Sequence, residues 1–366
     1  MRSAFKVAFM TLLFEPLTIR GVEFSNRAWV APMCQYSADT NGVVGTWHLV
    51  TLGSYANGKA GLIMAEATGV NPEGRISIYC PGLWGKEQVA AWSKVTDYVH
   101  SQGSKIGVQL AHAGRKASTD SPFNGGKVLE PSEGGWITLS ATDKPFTGMG
   151  TPKAMDQADM DRTIADFAKA AKNADEAGFD VVELHSAHGY LMHQFLSPLS
   201  NDRTDEYGGS IENRMRFPLA IAKAVREAWP QDKPVFVRIS ATDWAEGGWD
   251  IDDSIVYVNE LAKIGIDLID TSSGGATIDA KIPDQVSYQI NLAEQIKKQT
   301  GILTAAVGRI TQPDQAEQLL EEQKADVCFL GRQMLRDPHW PLRAANELGF
   351  KIKWSKPLQL GSRWTN

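Results

Sequence analysis

The 366-residue sequence predicts an α/β fold, a (β/α)₈ TIM barrel with a long loop excursion after its third strand. Three observations support this prediction. Short β-rich apolar runs alternate with longer helical patterns, there are eight such runs, and each is apolar enough to be buried on both faces. Eight βα units in one chain are typical of this barrel.

The strands are predicted from apolar runs and the helices from apolar stripes between them. Residues 159–178 carry one such stripe and end at Gly178, a common helix stop. Residues 212–229, 252–265 and 313–325 show similar patterns. The predicted strands occupy residues 28–33, 61–67, 105–112, 179–185, 234–240, 267–273, 302–308 and 325–331.

The third strand is followed by an unusually long segment without a helical or strand period. Residues 119–156 are rich in Gly, Pro, Ser and Thr, and we interpret them as a loop containing a small hairpin rather than a domain. The sequence therefore predicts a single barrel domain over residues 14–366. Residues 1–13 are expected to be a flexible N-terminal extension. Their apolar run is too short to be typical of a signal peptide.

Composition excludes several classes of protein. The net charge of −6 argues against a nucleic-acid partner or an anionic membrane surface, both of which favour a basic face. Only three cysteines occur, without a CxxC pair, which argues against a disulfide scaffold or a cysteine-ligated metal site. A reducing cytoplasm is the expected compartment.

Polar residues gather where the predicted strands end, which is where barrels of this kind form active sites. The run "VVELHSAHGYLMHQF" places His185, His188 and Tyr190 at the end of the fourth strand. Three interpretations compete: structural histidines, a metal site, or two imidazole donors that hold a substrate oxygen beside a phenol that moves a proton.

Other strand ends indicate a phosphate and a flat, electron-rich group. Gly308 and the pair Gly331–Arg332 end the last two strands, where barrels commonly bind phosphate, although tight turns alone also use glycine. Arg238 interrupts an apolar strand and needs a partner. Asp243 or Glu246 could pair with it structurally, or the edge of a cofactor could do so.

Long motifs in this sequence resemble the old yellow enzymes, FMN-dependent ene-reductases built on a (β/α)₈ barrel. The resemblance runs from about Phe14 to Arg363. A Cys after the first strand, where other members have Thr, is similar to the thermophilic-like or xenobiotic-reductase branch. The motifs are "APMCQYSA", "EATGVNPEGRIS", "GVQLAHAGRKAS", "ELHSAHGYLMHQFLSPLSNDRTDEYGGSIENR", "VRISATDW" and "FLGRQMLRDPHW".

The resemblance implies a role for each matching position. Cys34 would lie near the flavin N5 and tune its potential, and Arg238 would face the flavin N1/O2 edge. Tyr190 would donate the proton. The substrate oxygen would be bound by Tyr36, His185 and His188. The remaining cofactor contacts would be Ala31, Pro32, Met33, Ala67, Gln109, Gly308, Gly331 and Arg332.

The implied activity is reduction of activated C=C bonds in α,β-unsaturated carbonyl or nitro compounds, by ping-pong hydride transfer from NADPH or NADH through FMN. Arg309 and Lys116 would add positive charge near the mouth, either for a reductant phosphate or as surface charge. The resemblance also implies a homodimer or a tetramer of dimers, with Arg363 entering the neighbouring subunit's site. No metal is expected. The alternatives are a dienoyl-CoA reductase-like enzyme and a non-catalytic flavin-binding barrel.

Overall fold

The computed structural model describes residues 11–285 and 288–362. Within them eight parallel strands form a closed barrel, which confirms the predicted fold. In chain order the strands are β1 (Leu17–Ile19), β2 (Val22–Phe24), β3 (Ala28–Val30), β4 (Leu62–Gly69), β5 (Lys105–Ala111), β6 (Leu139–Ser140), β7 (Lys153–Ala154), β8 (Val181–Ser186), β9 (Val235–Ser240), β10 (Leu268–Ser272), β11 (Leu303–Val307) and β12 (Val327–Leu330).

The barrel runs β3-β4-β5-β8-β9-β10-β11-β12, and β12 pairs with β3 to close it. Each barrel strand is followed by at least one helix. The helices are α1 (Thr46–Asn57), α2 (Lys86–Ser101), α3 (Gln157–Glu176), α4 (Leu191–Leu196), α5 (Ile211–Ala228), α6 (Ile251–Ile264), α7 (Ile290–Thr300), α8 (Pro313–Glu321), α9 (Arg332–Arg336) and α10 (Trp340–Glu347). None of these described helices is both long and apolar enough to cross a membrane.

Two hydrophobic cores follow from the alternation of side chains along each strand. Outward-facing residues such as Val182 and Val237 pack against the helices, for example against Phe167 of α3. Inward-facing residues such as Trp29 and Phe236 fill the lower part of the barrel, the end at which the strands begin. The barrel is therefore a packed interior that positions side chains at its upper end, not a pore.

Aspartates tie neighbouring strands together at the lower end of the barrel. Asp180, Asp267 and Asp326 each stand one residue before a strand and accept a backbone N–H from the strand beside it, at 2.9 Å in each case. Each also pairs with a basic side chain. These contacts fix strand register at the end opposite the predicted active site.

A β-bulge changes which face of β4 points into the barrel. The register with β5 shifts by one residue between Ala65 and Ala67, so Glu66 is an extra residue. Ala67 then pairs with Gln109 on the inward face. The Glu66 carboxylate lies 3.3 Å from His48 of α1 instead, with both side chains buried.

Two predictions about irregular segments need correction. Between β5 and α3 the strands β6 and β7 pair in parallel, so they do not form the expected hairpin. The flexible extension was expected over residues 1–13, but its last residues belong to the folded domain. Leu13 is fully buried, and the amides of Leu12 and Leu13 donate to the Glu317 carboxylate at 2.7 and 2.9 Å. Residues 1–10 lie outside the described residues.

Candidate active site

His185 is near the end of β8, with its side chain at the upper end of the barrel interior. The backbone N–H of Ala187 donates to Nδ1 of the ring at 3.3 Å. Burial, followed by the charge of Arg238, holds the pKa of His185 well below its ordinary value. The ring is therefore neutral and carries its hydrogen on Nε2, where no described residue accepts it.

His188 follows in the turn after β8, in the left-handed backbone region with φ of 57°. Its ring centroid lies 5.1 Å from that of His185, and its Nε2 lies 2.7 Å from the Ser272 hydroxyl. Burial, and then Arg238, lower the pKa of His188 as well, so both imidazoles are neutral. A serine hydroxyl that donates to Nε2 leaves the single ring hydrogen on Nδ1.

Tyr190 completes the group. Its ring centroid is 4.8 Å from that of His185, and the Lys116 ammonium lies 5.2 Å from the phenol ring. Burial, with a smaller effect of Cys34 and Tyr36, raises the pKa of Tyr190 well above its ordinary value. The hydroxyl thus keeps its proton at neutral pH and has one to give.

The turn that carries these side chains is held from below by α4. Gly189 has φ of 70°, and a Cβ there would stand 2.3 Å from the Gly275 carbonyl oxygen. Its N–H donates to His193 Nδ1 at 2.9 Å, and His193 Nε2 lies 3.1 Å from Asp243. His193 therefore supports the turn from within the protein, between the Gly189 amide and Asp243.

Cys34 and Tyr36 follow β3 on the facing side of the barrel mouth. A hydrogen bond with Cys80, and then burial, raise the pKa of the Cys34 thiol well above its ordinary value, so it is not a thiolate. Burial, and then the neighbouring Cys34, raise the pKa of Tyr36. The segment is anchored where the Gln35 N–H donates to Glu66 at 2.7 Å.

A cavity of about 350 Å³ opens between the ends of β9, β11 and β12. Gly308, with φ of 110°, and Gly331 give it walls without side chains. Gln289, which the sequence did not indicate, donates to the Val307 carbonyl at 3.0 Å and supports this edge. The cationic lining consists of Arg238, Arg309, Arg332 and Arg336.

The cavity fits the phosphate and one edge of a flavin mononucleotide. Backbone at two glycines can approach an anion closely, and several guanidinium groups surround it. Arg238 is buried, and its Nε lies 3.3 Å from Asp270 Oδ2 without forming a hydrogen bond. An electron-rich edge of a bound group would supply a further acceptor for the guanidinium.

The structure places the other predicted cofactor residues around the same mouth. Ala31 and Ala67 are buried on the inward face, and Met33 lies next to Gly331. Gln109 donates to Glu183 at 2.8 Å. Pro32 joins Ala31 to Met33. Arg363 lies outside the described residues.

One expectation about charged residues is wrong. Arg238 pairs with Asp270, at 3.3 Å between Nε and Oδ2, and not with Asp243 or Glu246. Lys116 is half-buried at the mouth, and its ammonium donates to the carbonyls of His188 and Gly275 at 2.9 and 3.1 Å. Burial lowers the pKa of Lys116 to about 8.

A larger cavity of about 920 Å³ lies at the opposite end of the barrel, beneath the C-terminal segment. Its lining includes Lys59, Gln102 and Trp354, but the strands of a barrel point their catalytic side chains to the other end. No group of three His, Cys, Asp or Glu side chains in the described ranges could hold a metal ion.

Comparison with known proteins identifies the family of this chain. The model of the NADH:flavin oxidoreductase / NADH oxidase family matches residues 12–350. An NADPH dehydrogenase of Geobacillus thermodenitrificans (strain NG80-2) is 45% identical over 97% of this chain and 99% of its own. An NADPH dehydrogenase of Bacillus subtilis (strain 168) is 44% identical over 96% of this chain and 99% of its own.

Solved structures show the same fold. Morphinone reductase in complex with tetrahydroNAD superposes with a TM-score of 0.76 at 28% identity, covering 95% of this chain and 93% of the other. 2-Naphthoyl-CoA reductase gives a TM-score of 0.83 at 26% identity over 92% of this chain, which spans about half (52%) of that longer protein.

The chain is a flavin oxidoreductase and belongs to the NADH:flavin oxidoreductase / NADH oxidase family, the old yellow enzyme family. Membership confirms the predicted enzyme class, the FMN cofactor and a nicotinamide reductant.

Proposed function

We propose that this protein is an NADPH-dependent ene-reductase that reduces activated C=C bonds of α,β-unsaturated carbonyl or nitro compounds. The observation that carries the proposal is the convergence of two neutral imidazoles, His185 and His188, with the protonated phenol of Tyr190. They gather at one strand end beside a cavity that fits FMN. A carbonyl or nitro oxygen needs two such donors, and a neighbouring carbon needs one such proton.

FMN would be held by the residues around the barrel mouth. Gly308, Gly331 and Arg332 would hold its phosphate, and Arg238 would face the ring edge that becomes negative on reduction. Ala31, Pro32, Met33, Cys34, Ala67 and Gln109 would lie along the ring, with the Cys34 thiol tuning its potential. When bound, FMN supplies the hydride that the nicotinamide has given to it.

The two imidazoles would bind the substrate oxygen and stabilise its developing negative charge. His185 offers Nε2–H, and His188 offers its remaining ring N–H when Ser272 donates to Nε2. Neutral donors that are already oriented stabilise an oxyanion without reorganisation, and each such donor is worth about 10²–10³ in rate. Tyr36 would add a third contact.

Tyr190 would move its hydroxyl proton to the substrate Cα. The 4.8 Å distance between its ring centroid and that of His185 supports this role, because the proposed oxygen donors are then adjacent to the phenol. The nearby Lys116 ammonium, 5.2 Å from the ring, would stabilise the phenolate that forms when the proton leaves. This division of tasks gives the hydride to one carbon and the proton to its neighbour.

Reductant and alkene would use the same site in turn. The relatives at 44–45% identity are named NADPH dehydrogenase, which favours NADPH. His185, His188 and Tyr190 form one group at the barrel mouth. If both the nicotinamide and the alkene bind against this group, they must bind in turn, which is a ping-pong order. From the resemblance we also propose a homodimer or a tetramer of dimers with Arg363 in the neighbour's site. Removing residues 363–366 and measuring mass and Michaelis constants tests this arrangement.

The function is tested by purifying the protein and identifying the cofactor that it releases. Mass spectrometry should find FMN. Anaerobic NADPH should bleach its visible absorbance, and 2-cyclohexenone should restore it. FAD in place of FMN, or reduced flavin that 2-cyclohexenone cannot reoxidise, would contradict the proposal. Preferential turnover of an unsaturated CoA thioester would favour the dienoyl-CoA reductase alternative.

A further inference from the structure

A layer of charged side chains crosses the barrel interior directly below the candidate active site. On three neighbouring strands the inward-facing residues follow the same order from the start of the strand to its end. An apolar residue comes first, a charged residue second, and a residue at the candidate active site third. The series is Val181, Glu183 and His185 on β8; Phe236, Arg238 and Ser240 on β9; and Leu268, Asp270 and Ser272 on β10. Barrel interiors are ordinarily filled by branched apolar residues, so packing alone does not account for the middle position.

Hydrogen bonds within this charged layer are few. Glu183 and Asp270 are both fully buried, and Arg238 is almost so. Glu183 accepts one hydrogen bond from Gln109, but its second oxygen and both oxygens of Asp270 have no hydrogen-bond partner among the described residues. Arg238 faces Asp270 at 3.3 Å without a well-formed hydrogen bond.

The charges in this layer do not balance if every group is ionised. Two carboxylates and one guanidinium carry a net charge of −1 in a space without exposed surface, and a buried net charge is costly. One retained proton brings the sum to zero. Burial, and then the charge of Asp270, raise the pKa of Glu183 to about 8, whereas burial raises the pKa of Asp270 only to about 6. The proton is therefore held mainly by Glu183, and Asp270 is ionised at neutral pH.

We propose that Asp270 and Glu183 are positioning residues that set the reduction potential of the bound flavin through Arg238 and Gln109. This inference rests on the proposed function only in assuming that FMN binds. Asp270 is the counter-ion that shares the positive charge of Arg238 with the cofactor. Glu183, kept neutral, holds the Gln109 carboxamide without adding negative charge below the ring.

The direction of each effect follows from charge. Reduction adds negative charge to the cofactor edge that Arg238 faces. An ionised Asp270 reduces the positive potential there and lowers the reduction potential, so Asp270→Asn should raise it. The variant is made in the wild type and in the Glu183→Gln background, where Glu183 cannot ionise in place of Asp270. An ionised Glu183 would act in the same direction as Asp270. The groups facing Glu183 are Gln109 from β5, Arg238 from β9 and Asp270 from β10.

The experiment is a spectroelectrochemical titration of the FMN-bound protein between pH 6 and pH 9.5, without any alkene. We expect Asp270→Asn to favour reduced over oxidised cofactor about tenfold, a rise of about 30 mV for a two-electron couple. Asp326→Asn is the matched control, because it removes one carboxylate charge at the opposite end of the barrel. Its potential should equal that of the wild type.

Glu183→Gln provides the second measurement and does not depend on the stability of the Asp270 variant. Burial raises the pKa of Glu183 to about 8. Below that pH the variant should match the wild type, and above it the wild-type potential should fall below that of the variant. An unchanged or lower potential in Asp270→Asn would overturn the proposal, as would identical curves for Glu183→Gln and wild type through pH 9.5.

These outcomes are separable from failure of the proposed function. A protein that shows the expected potentials but does not reduce 2-cyclohexenone refutes the ene-reductase assignment and supports the charged-layer inference. A protein that reduces 2-cyclohexenone but shows none of the shifts refutes only the inference.

Discussion

Tyr190 and Tyr36 both bring a phenol to the site, and their surroundings separate their roles. Tyr190 contacts the His185 ring and the Lys116 ammonium, whereas Tyr36 neighbours Cys34 and packs edge-on against the exposed Phe123. Only the first arrangement stabilises a phenolate. The proton donor is therefore expected to be Tyr190.

Replacing Tyr190 by Phe should slow reoxidation of reduced FMN by 2-cyclohexenone by about 10²–10⁴, because a positioned general acid is lost. Reduction of FMN by NADPH should change little. Stopped-flow absorbance measures the two half-reactions separately. Tyr36→Phe is the control and should raise the Michaelis constant more than it lowers the rate. Equal rate losses in the two variants would contradict this assignment.

Ser272 orients His188 through its hydrogen bond to Nε2. Ser272→Ala should lower kcat/KM for enones about fivefold, since one hydrogen bond of about 1 kcal/mol no longer holds the ring. Thr271→Val is a matched control, because the neighbouring Thr271 hydroxyl is buried without a hydrogen-bond partner among the described residues. Steady-state kinetics of both variants, with a phenol titration of the flavin spectrum, gives the comparison. A Thr271 variant as impaired as the Ser272 variant would argue for a general packing effect.

At the scale of the element, the turn between β8 and α4 is built around Gly189. An alanine Cβ would stand 2.3 Å from the Gly275 carbonyl oxygen, and the residue already has φ of 70°. Strain and clash together should cost about 2–4 kcal/mol of stability and displace His188 and Tyr190. Thermal unfolding and enone kinetics measure both effects.

Gly148 offers a control for the strain alone. It has φ of 81°, and nothing lies within 4 Å of an added Cβ. Gly148→Ala should therefore cost about 1 kcal/mol and leave kcat/KM unchanged. If the two alanine variants lose the same stability and Gly189→Ala keeps full activity, the turn does not depend on close approach to Gly275.

The elements also show what could be predicted from the sequence and what could not. Buried parallel strands are continuous apolar runs, so all eight could be predicted from the sequence. The position of His185 and Tyr190 at one strand end could be predicted for the same reason. The bulge at Glu66 was not visible, because no residue type marks it and only pairing with β5 reveals it. The charged layer of Glu183 and Asp270 could not be predicted. Each is a single acid in an apolar run, and only the pairing of the strands shows that they lie close to Arg238.

For the whole molecule, buried histidines make stability depend on acid. Burial, and then the charge of Arg162, lower the pKa of His112 to about 3. The unfolded chain takes up protons near pH 6.5, so it binds more protons than the folded chain between pH 6.5 and 3. Stability is therefore lost as pH falls through this window, and His185 and His188 contribute in the same direction.

His112→Gln should reduce this acid sensitivity. The difference in unfolding free energy between pH 7 and pH 4 should shrink by about 3 kcal/mol, since each pKa unit is worth about 1.4 kcal/mol. Denaturant unfolding at both pH values measures it. The exposed His339, replaced by Gln, should leave the difference unchanged. An unaltered pH dependence in His112→Gln would assign the acid sensitivity to other groups.

The pairing of β12 with β3 has a consequence for synthesis on the ribosome. The first barrel strand, β3, pairs with a strand that is translated about 300 residues later. The amides of Leu12 and Leu13 likewise bond to Glu317, which is about as far along the chain. Until then the nascent chain exposes two unpaired strand edges, which favour association with other chains. Closure by such distant contacts is slow. We therefore expect the growing polypeptide to be prone to aggregation until its last strand leaves the exit tunnel. Shortening the chain before residue 330 should yield an aggregating product instead of a smaller enzyme.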